Sequence, residues 1–230
     1  MATTGLEQQQ LRRWCWMREP ALDFPAYKST ALRHPKHPLI QVGPERTGPA
    51  LAHLRPGEIC NDLTKDGPVG ERITVSGRLL DSAGRPIADS LIEIWQANSA
   101  GRYRHRDGRW PAPLDPNFQG GGRTVTDGDG RYEFVTIKPG PYPWGNHHNA
   151  WRPAHIHFSV MGRVFDQRLV TQMYFPGDPL FPYDPIFNSV RDPELRQLMV
   201  SRLSMDASQD NWALAYEFDI VVDATPVEGR

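Results

Sequence analysis

From residue 71 onward the sequence is dominated by short runs in which apolar and polar residues alternate. The run ERITVSGRLL places Ile73, Val75, Gly77 and Leu79 on one side, and the turn-forming segment DSAGRP follows it. The run DSLIEIWQAN alternates in the same way. A period of two is typical of strands with one face turned to a core. The pattern therefore predicts a chain built mainly from short β-strands.

Runs of the same kind continue to the end of the patterned region. RTVTDGDGRYEFVTI is predicted to be a hairpin that turns at Asp127 to Gly130, and AHIHFSVMG, QRLVTQMYF and WALAYEFDIVVD are predicted to be three more strands. One short helix is predicted near residues 192–203, with Asp192 as N-cap and Pro193 as its first residue. Its apolar stripe would consist of Leu195, Leu198, Met199 and Leu203. Many short strands with one helix predict an all-β fold, specifically a β-sandwich.

Composition divides the chain near residue 68 into two predicted parts. Residues 1–67 are expected to form an extended, irregular arm, because residues 19–68 contain repeated prolines and no sustained period of 2 or 3.6. Aromatic side chains within that segment favour an arm that packs on the core or on a partner subunit. Residues 68–225 are expected to form the β-sandwich domain.

Charge and hydropathy exclude several classes of partner. The chain has 26 basic and 27 acidic residues, which gives no electrostatic reason to expect nucleic acid or an anionic membrane surface. No stretch approaches the roughly 20 apolar residues of a transmembrane helix, and the first thirty residues lack the apolar core of a signal peptide. Cys15 and Cys60 are too few for a disulfide framework. We therefore expect a cytoplasmic protein that binds neither nucleic acid nor membrane.

The segment WRPAHIHFSV carries the most informative polar residues. His155 and His157 are two positions apart, so in a strand both imidazoles project from one face. Such a pair can ligate a metal, act in catalysis, or sit in the core bonded to the backbone, and the shared face favours a metal. A cupin would need a glutamate near Met161, and a structural zinc site would need a Cys-x-x-Cys motif, which the chain lacks.

Two tyrosines could complete a metal site. Tyr142, in KPGPYPW, comes thirteen residues before His155, and Tyr103, in SAGRYRH, follows the LIEIWQAN strand. Phenolate is a hard, anionic ligand, which suits ferric iron better than zinc. Taken singly, each tyrosine is more typical of a buried amphipathic side chain, so these residues alone leave the ligand set open.

Six segments together resemble the intradiol ring-cleaving dioxygenases. In chain order they are LIEIWQANSAGRYRH, LDPNF, GRTVTDGDGRYEF, TIKPGPYPW, WRPAHIHFSV and QMYFPGDPL. The resemblance extends from about residue 66 to residue 222. It implies a β-sandwich that holds one Fe(3+) per chain through Tyr103, Tyr142, His155 and His157, and that cleaves a catechol ring with O2.

The resemblance also implies roles for residues around these ligands. Tyr142 would leave the metal when the catechol binds and would accept a substrate proton, and Arg152 would stabilise charge that develops on the ring. Pocket positions of the family correspond to Trp95, Trp144, Gln172 and Ile186. Trp95 can equally be a plain core residue, and Arg152 can instead form a salt bridge at the surface. His147 and His148 are interpreted as solvated loop residues.

Within the family, the resemblance is greatest to the branch that cleaves protocatechuate (3,4-dihydroxybenzoate) to 3-carboxy-cis,cis-muconate in the β-ketoadipate pathway. Tyr27, in PAYKST, corresponds to a residue that assists in binding the substrate carboxylate. The implied partner is a homologous α chain in a hetero-oligomer of αβ units. Two alternatives stay open: an intradiol enzyme for hydroxyquinol or a substituted catechol, and a non-catalytic, transthyretin-like β-sandwich that binds a partner.

Overall fold

A computed structural model describes residues 58–81, 83–104, 110–145, 148–161 and 169–222. Its strands are β1 (Arg72–Asp81), β2 (Leu91–Gln96), β3 (Gly121–Val125), β4 (Arg131–Ile137), β5 (Tyr142–Trp144), β6 (Ala150–Arg152), β7 (His155–Met161), β8 (Leu169–Tyr174), β9 (Arg202–Gln209), β10 (Ala213–Glu217) and β11 (Ile220–Val222). The helical segments are a 3-10 helix (Phe181–Tyr183), α1 (Pro185–Ser189) and α2 (Pro193–Gln197). No helix within these described ranges has the length and apolar character needed to span a membrane.

The strands form two main sheets and a small ribbon. In the first sheet, β1 pairs antiparallel with β4 on one side, and on the other side it pairs parallel with β10 and then with β11. β9 extends this sheet beyond β10. The second sheet has the antiparallel order β3-β2-β7-β8. β5 and β6 pair only with each other among the described strands and form the ribbon.

Aromatic side chains join the two sheets into a sandwich. Phe158 of β7 lies 6.0 Å from Tyr132 and 5.8 Å from Phe134, both on β4, measured between ring centroids. It also lies 5.3 Å from Phe218, which links β10 to β11. All four side chains are buried. Since β7 and β4 belong to different sheets, these contacts form the interior of a two-layer fold, and the predicted all-β sandwich is confirmed.

The predicted hairpin at residues 127–130 is wrong in its pairing. The turn forms as expected, because the Gly130 N–H donates to the Asp127 carbonyl and the Asp127 N–H donates to the Arg131 carbonyl. However, β3 pairs with β2 in the second sheet, whereas β4 pairs with β1 in the first. Alternation identifies strands and the turn between them, but a turn that crosses from one layer to the other has the same local sequence as a hairpin turn.

The helix predicted over residues 192–203 is shorter than expected. Asp192 caps it by accepting a hydrogen bond from the Glu194 N–H, and Pro193 is its first residue, as predicted. The helix nevertheless ends at Gln197, and Leu203 lies in β9. Two of the four residues of the predicted stripe, Leu198 and Leu203, are 62% and 40% exposed, so they do not cover a core.

Pairing with β8 accounts for the early end of α2. The Tyr174 N–H donates to the Met199 carbonyl at 2.8 Å, and the Ser201 N–H donates to the Tyr174 carbonyl at 2.8 Å. A helix continued past residue 197 would remove these bonds to a buried strand end. The 3-10 helix and α1 are additional helical segments that the sequence pattern did not predict.

The segment just before β1 already packs on the sandwich. Cys60 forms an isolated bridge with Arg123 of β3, and Asp62 forms one with Val135 of β4. Leu63 belongs to the buried core. Tyr27, Cys15 and most of the predicted arm lie outside the described residues.

Candidate active site

The central strand of the second sheet supplies two imidazoles. β7 lies between β2 and β8, and its alternation turns His155 and His157 toward one face, with ring centroids 4.9 Å apart. They are 2% and 9% exposed. Both imidazoles therefore project from the same face of β7, as predicted. On the opposite face, Ile156 and Phe158 are fully buried in the core.

Tyr103 reaches these imidazoles from the loop that follows β2. Its hydroxyl oxygen lies 3.3 Å from His155 Nε2 and 3.1 Å from His157 Nε2. The loop is held by Asn98, whose side-chain oxygen accepts from the N–H groups of Ala100 and Arg102 at 3.0 and 2.9 Å. Asparagine is favoured in turns of this kind because its side-chain oxygen takes the place of a backbone acceptor.

Tyr142 reaches the same region from the ribbon. Its ring packs edge-on against Tyr103 at 5.6 Å and lies 5.7 Å from the His155 ring, between centroids. The two tyrosine-bearing segments touch at Gly101, whose φ is +76°. A Cβ on Gly101 would collide with the Pro141 carbonyl oxygen. Glycine is therefore required for the Tyr103 loop to approach the segment that carries Tyr142.

Together, Tyr103, Tyr142, His155 and His157 form what we call the donor cluster. Metal–nitrogen and metal–oxygen bonds are about 2.0–2.2 Å, so two ligands roughly at right angles are about 3 Å apart. The separations of 3.1 and 3.3 Å from the Tyr103 oxygen to the two Nε2 atoms fit that requirement. Among the described residues, no group of three or more His, Cys, Asp or Glu side chains could hold a metal. A metal in the donor cluster would thus depend on phenolic oxygens.

The protonation of His155 suits a ligand. Its Nδ1 lies 2.7 Å from the Pro153 carbonyl, which can only accept, so Nδ1 carries the proton and Nε2 presents a lone pair. Burial is the main reason that the pKa of His155 lies well below its usual value, and the nearby charge of Arg152 lowers it further. The imidazole is accordingly neutral, as ligation requires.

The surroundings of Tyr103 disfavour ionisation of its hydroxyl unless a cation is present. Burial, followed by the neighbouring Tyr142, raises the pKa of the Tyr103 hydroxyl well above its usual value. Arg152 acts in the opposite direction but does not overcome these effects. A buried oxygen of this kind is stabilised as phenolate by a bound metal ion, so the donor set fits a hard cation.

Trp95 covers one side of the donor cluster. It is the direct cross-strand partner of His157, and the two rings stack at 4.9 Å with an interplanar angle of 3°. This parallel contact fixes the plane of the His157 ring. Trp95 therefore contacts the site, although its predicted role in binding substrate is untested.

A buried hydrogen-bond network lies beside the donor cluster. Arg152 Nη2 donates to Gln172 Oε1 and, at 3.2 Å, to the Tyr174 hydroxyl. Arg152 Nε lies 3.1 Å from Asp184 Oδ1, an ion pair without the alignment of a hydrogen bond. We call Arg152, Gln172, Tyr174 and Asp184 the arginine network. The guanidinium carbon also lies 5.3 Å from the centroid of the Trp144 ring, a cation–π distance.

The arginine of this network stays charged. Burial by itself lowers the pKa of Arg152, but the oxygens of Tyr174 and Asp184, with those of Tyr142 and Tyr103, together raise it well above its usual value. The surface salt bridge that was the alternative for Arg152 is wrong, because its ion pair with Asp184 is internal, with Arg152 3% and Asp184 0% exposed.

Sequence reasoning placed most of these residues but missed three. Asn98, Tyr174 and Asp184 were not predicted to belong to the site. The pair Asp184-Pro185 signals a helix start and Asn98 stands in a turn sequence, so both local roles could be predicted, although the link of these residues to the site could not.

Ile186, a predicted pocket residue, lies on α1 next to the Asp184 cap. His148 is exposed in a turn, as expected of a solvated loop residue, and His147 lies outside the described residues.

Two family models and several known proteins match this chain in sequence. A family model described as "Dioxygenase" matches residues 47–224, and a model described as "Protocatechuate 3,4-dioxygenase beta subunit N terminal" matches residues 19–46. The chain is 51% identical to the protocatechuate 3,4-dioxygenase beta chain of Burkholderia cepacia, over 93% of this chain and 95% of that one. It is 31% identical to the protocatechuate 3,4-dioxygenase alpha chain of Pseudomonas putida, over 72% of this chain and 78% of that one.

A solved structure extends the similarity to the fold. The 3-chlorocatechol 1,2-dioxygenase of Rhodococcus opacus 1CP superposes with a TM-score of 0.56 at 28% identity, over 70% of this chain and 63% of that one. The family model that matches residues 47–224 includes every described strand, the donor cluster and the arginine network. This chain therefore belongs to the intradiol ring-cleaving dioxygenase family.

Proposed function

We propose that this chain is the iron-binding chain of an enzyme that cleaves protocatechuate with O2 to 3-carboxy-cis,cis-muconate, a step of the β-ketoadipate pathway. The observation that carries the proposal is the convergence of Tyr103 Oη with the Nε2 atoms of His155 and His157 within 3.3 Å. The 51% identity to a beta chain that acts on protocatechuate supports the choice of substrate. A cytoplasmic location stays a prediction from composition.

The donor cluster would hold one Fe(3+). When bound, a ferric ion would supply the Lewis acidity that activates a catechol ring toward O2. The chain's contribution to that binding is a set of imidazole nitrogens and phenolic oxygens, arranged on β7, the β2 loop and the ribbon. Nδ1 of His155 is tied to a backbone carbonyl, which keeps its Nε2 directed at the site.

Tyr142 is the donor best suited to leave and take a proton. It lies on the ribbon, whereas His155 and His157 lie on the second sheet, so its position can change without disturbing that sheet. As a phenolate that has left the metal, its oxygen would accept one proton from a substrate hydroxyl. Tyr103, held by the loop that Asn98 organises, would stay in place.

Arg152 would stabilise negative charge that develops on the substrate ring. Its guanidinium is buried and remains charged, and it is close enough to the donor cluster to lower the pKa of His155. A fixed positive charge in a site screened from water is worth far more than one in solvent. Trp95, Trp144 and Ile186 would form apolar walls, and Gln172 would position Arg152 through their hydrogen bond.

The carboxylate of protocatechuate requires donors beyond those described. We propose Tyr27 as one of them. We further propose that a homologous α chain assembles with this chain in αβ units. The existence of separately named alpha and beta chains among the relatives, 31% and 51% identical to this one, supports that assembly.

Oxygen uptake by the purified, iron-loaded protein tests the proposal. The chain would be prepared with and without a co-expressed homologous chain and mixed with protocatechuate, catechol, hydroxyquinol or chlorocatechol, with His157→Ala as the control that removes a donor. We expect a red-brown protein that consumes oxygen fastest with protocatechuate, and a colourless, inactive variant. A faster reaction with hydroxyquinol or another catechol would overturn the substrate, and a colourless, inactive wild-type protein would overturn the function in favour of a binding module.

A further inference from the structure

Asp184 is the most deeply buried carboxylate near the site. It has 0% exposure, and it lies between α1 and the other members of the arginine network. Its Oδ1 accepts from the Ile186 N–H at 2.9 Å and lies 3.1 Å from Arg152 Nε. Its Oδ2 accepts from the Tyr174 hydroxyl at 3.0 Å. One side chain thus joins a helix start, an arginine and a tyrosine.

The hydroxyl of Tyr174 can satisfy only one of its two acceptors. It lies 3.0 Å from Asp184 Oδ2 and 3.0 Å from Gln172 Oε1, but it carries a single proton. A carboxylate is the stronger acceptor, so the proton goes to Asp184. The lone pairs of the Tyr174 oxygen are then free to accept from Arg152 Nη2, and Gln172 Oε1 accepts from the same nitrogen.

These contacts engage two of the three nitrogens of the guanidinium. Nε faces Asp184 directly, and Nη2 is held by Tyr174 and Gln172, which are in turn ordered by Asp184 and β8. A planar guanidinium fixed along that edge has little rotational freedom. The buried positive charge is also balanced by a buried negative one, without which it would be strongly destabilised.

We propose that Asp184 is a positioning residue that orients the Arg152 guanidinium toward the substrate ring. Asp184 acts through Arg152 directly at Nε and indirectly through the Tyr174 hydroxyl, and it does not itself touch substrate. This role rests on the proposed function, because the charge that Arg152 stabilises belongs to the ring-opening reaction. It also explains why a helix of five residues, α1, is capped by a completely buried aspartate.

Asp184→Asn separates positioning from the structural role of the cap. Asparagine caps helices about as well as aspartate, so its side-chain oxygen can still accept from the Ile186 N–H. The substitution removes the negative charge that faces Arg152. The matched control is Asp192→Asn at α2, where an aspartate followed by proline accepts from the Glu194 N–H at 2.9 Å in an exposed position. Asp192 has no contact with the arginine network.

The experiment uses the iron-loaded protein co-expressed with its homologous chain and measures kcat and KM for protocatechuate. We expect Asp184→Asn to lower kcat by about 10- to 100-fold, the effect of a small misplacement of a catalytic group. KM and the tyrosinate absorption band of the iron should stay close to wild type. Asp192→Asn should match wild type in all of these quantities. Arg152→Ser should lose at least as much activity as Asp184→Asn.

A double variant decides whether Asp184 acts through the arginine. Arg152→Ser with Asp184→Asn should be no slower than Arg152→Ser alone, because a positioning residue has no further effect once its target is gone. Multiplied losses would overturn the proposal, as would a wild-type kcat in Asp184→Asn. If that variant does not fold, Asp184→Ser is the substitute, since serine also caps a helix and removes the charge that faces Arg152, and a wild-type kcat there would overturn the proposal equally. A wild-type enzyme without oxygen uptake on any catechol would instead overturn the proposed function, and this role with it.

Discussion

The hydroxyl of Tyr103 has contacts that a core tyrosine would not need. Its oxygen is within 3.3 Å of the Nε2 atoms of both His155 and His157, although one phenolic proton can serve only one of them. The Tyr103 oxygen and the Nε2 lone pair of His155 therefore meet the His157 ring in a small, buried volume. Buried lone pairs this close together are unfavourable in the absence of a cation and favourable in its presence.

Replacement of Tyr103 by phenylalanine should therefore remove iron. We expect Tyr103→Phe to lose most of its bound iron and its visible absorption band, measured by metal analysis and spectroscopy. Tyr132→Phe is the matched control, because the Tyr132 hydroxyl donates to the Phe218 carbonyl in the core rather than to the site. The control should lose about 1 kcal/mol of stability and keep its iron. Full colour and iron content in Tyr103→Phe would remove this residue from the ligand set.

Tyr142→Phe should behave differently from Tyr103→Phe. Three donors remain, so we expect iron to stay bound with an altered spectrum. Anaerobic binding of protocatechuate should slow by about 100-fold or more, because the base that accepts a substrate proton is gone. The later reaction with oxygen should change less. Stopped-flow mixing with protocatechuate, followed by oxygen, resolves the two stages. If protocatechuate binds at the wild-type rate and only the reaction with oxygen is slow, the role assigned to Tyr142 in substrate binding is wrong.

Residues differ in how far their sequence context could predict their roles. His155 and His157 follow from strand periodicity alone, because i and i+2 must share a face. Tyr103 lies in a loop and Tyr142 on a three-residue strand, where periodicity has no meaning, and both were assigned only by resemblance to a family. Asp184 reaches Arg152 across 32 positions of sequence, from Arg152 to Asp184. A helix-cap signal contains no information about such a distant contact.

At the scale of elements, the site depends on how closely the β2 loop approaches the ribbon. The Gly140 N–H donates to the Asn98 carbonyl at 2.9 Å, and the Gly101 N–H donates to the same oxygen at 3.0 Å. One backbone carbonyl therefore connects the segment that leads to Tyr103 with the segment that leads to Tyr142. The two tyrosines are positioned relative to each other by the backbone and not by their side chains alone.

Gly101→Ala should disturb both tyrosines. The substitution requires a residue with a Cβ at φ +76° and brings that Cβ against the Pro141 carbonyl. We expect a loss of about 1–3 kcal/mol in the free energy of unfolding, measured with urea, and a lower iron content per chain. Gly128→Ala is the control, because a Cβ there has open space around it. It should stay within about 0.5 kcal/mol of wild type. Equal effects of the two substitutions would contradict the proposed close approach.

The secondary-structure elements also show which features could be predicted from nearby sequence and which could not. The turn at Asp127 to Gly130 and the cap at Asp192 were predicted from nearby residues and are present. The partner of each strand and the end of α2 depend on residues distant in sequence, such as Tyr174, whose backbone pairs with the chain that follows α2. Tertiary pairing thus decided the strand partners and the end of α2. The sequence prediction also missed the 3-10 helix and α1, and it treated WALAYEFDIVVD as one strand where the structure has β10 and β11.

At the scale of the molecule, β7 has two functions on its two faces. One face carries His155 and His157, and the other carries Phe158 into the contact between the sheets. Strand alternation keeps these functions apart, because successive side chains point to opposite sides. The stability of the sandwich and the chemistry of the site should therefore be separable by substitution on a single strand.

Phe158→Ala tests this separation. Loss of a fully buried phenylalanine should lower the free energy of unfolding by about 3–5 kcal/mol, measured by chemical denaturation. Below the temperature at which the variant unfolds, it should still bind iron and show the wild-type absorption band. Leu203→Ala, at a position that is 40% exposed on β9, should cost less than about 1 kcal/mol. Loss of iron from folded Phe158→Ala would mean that the two faces are coupled.

Every described residue of the donor cluster and the arginine network comes from the second sheet, the ribbon, α1 or the loop after β2, and none comes from the first sheet. For a duplicated gene this arrangement has a clear consequence. One copy can exchange its tyrosines and histidines for other side chains while the first sheet and the aromatic contacts between layers continue to specify the fold. The architecture makes that divergence available at little risk to folding.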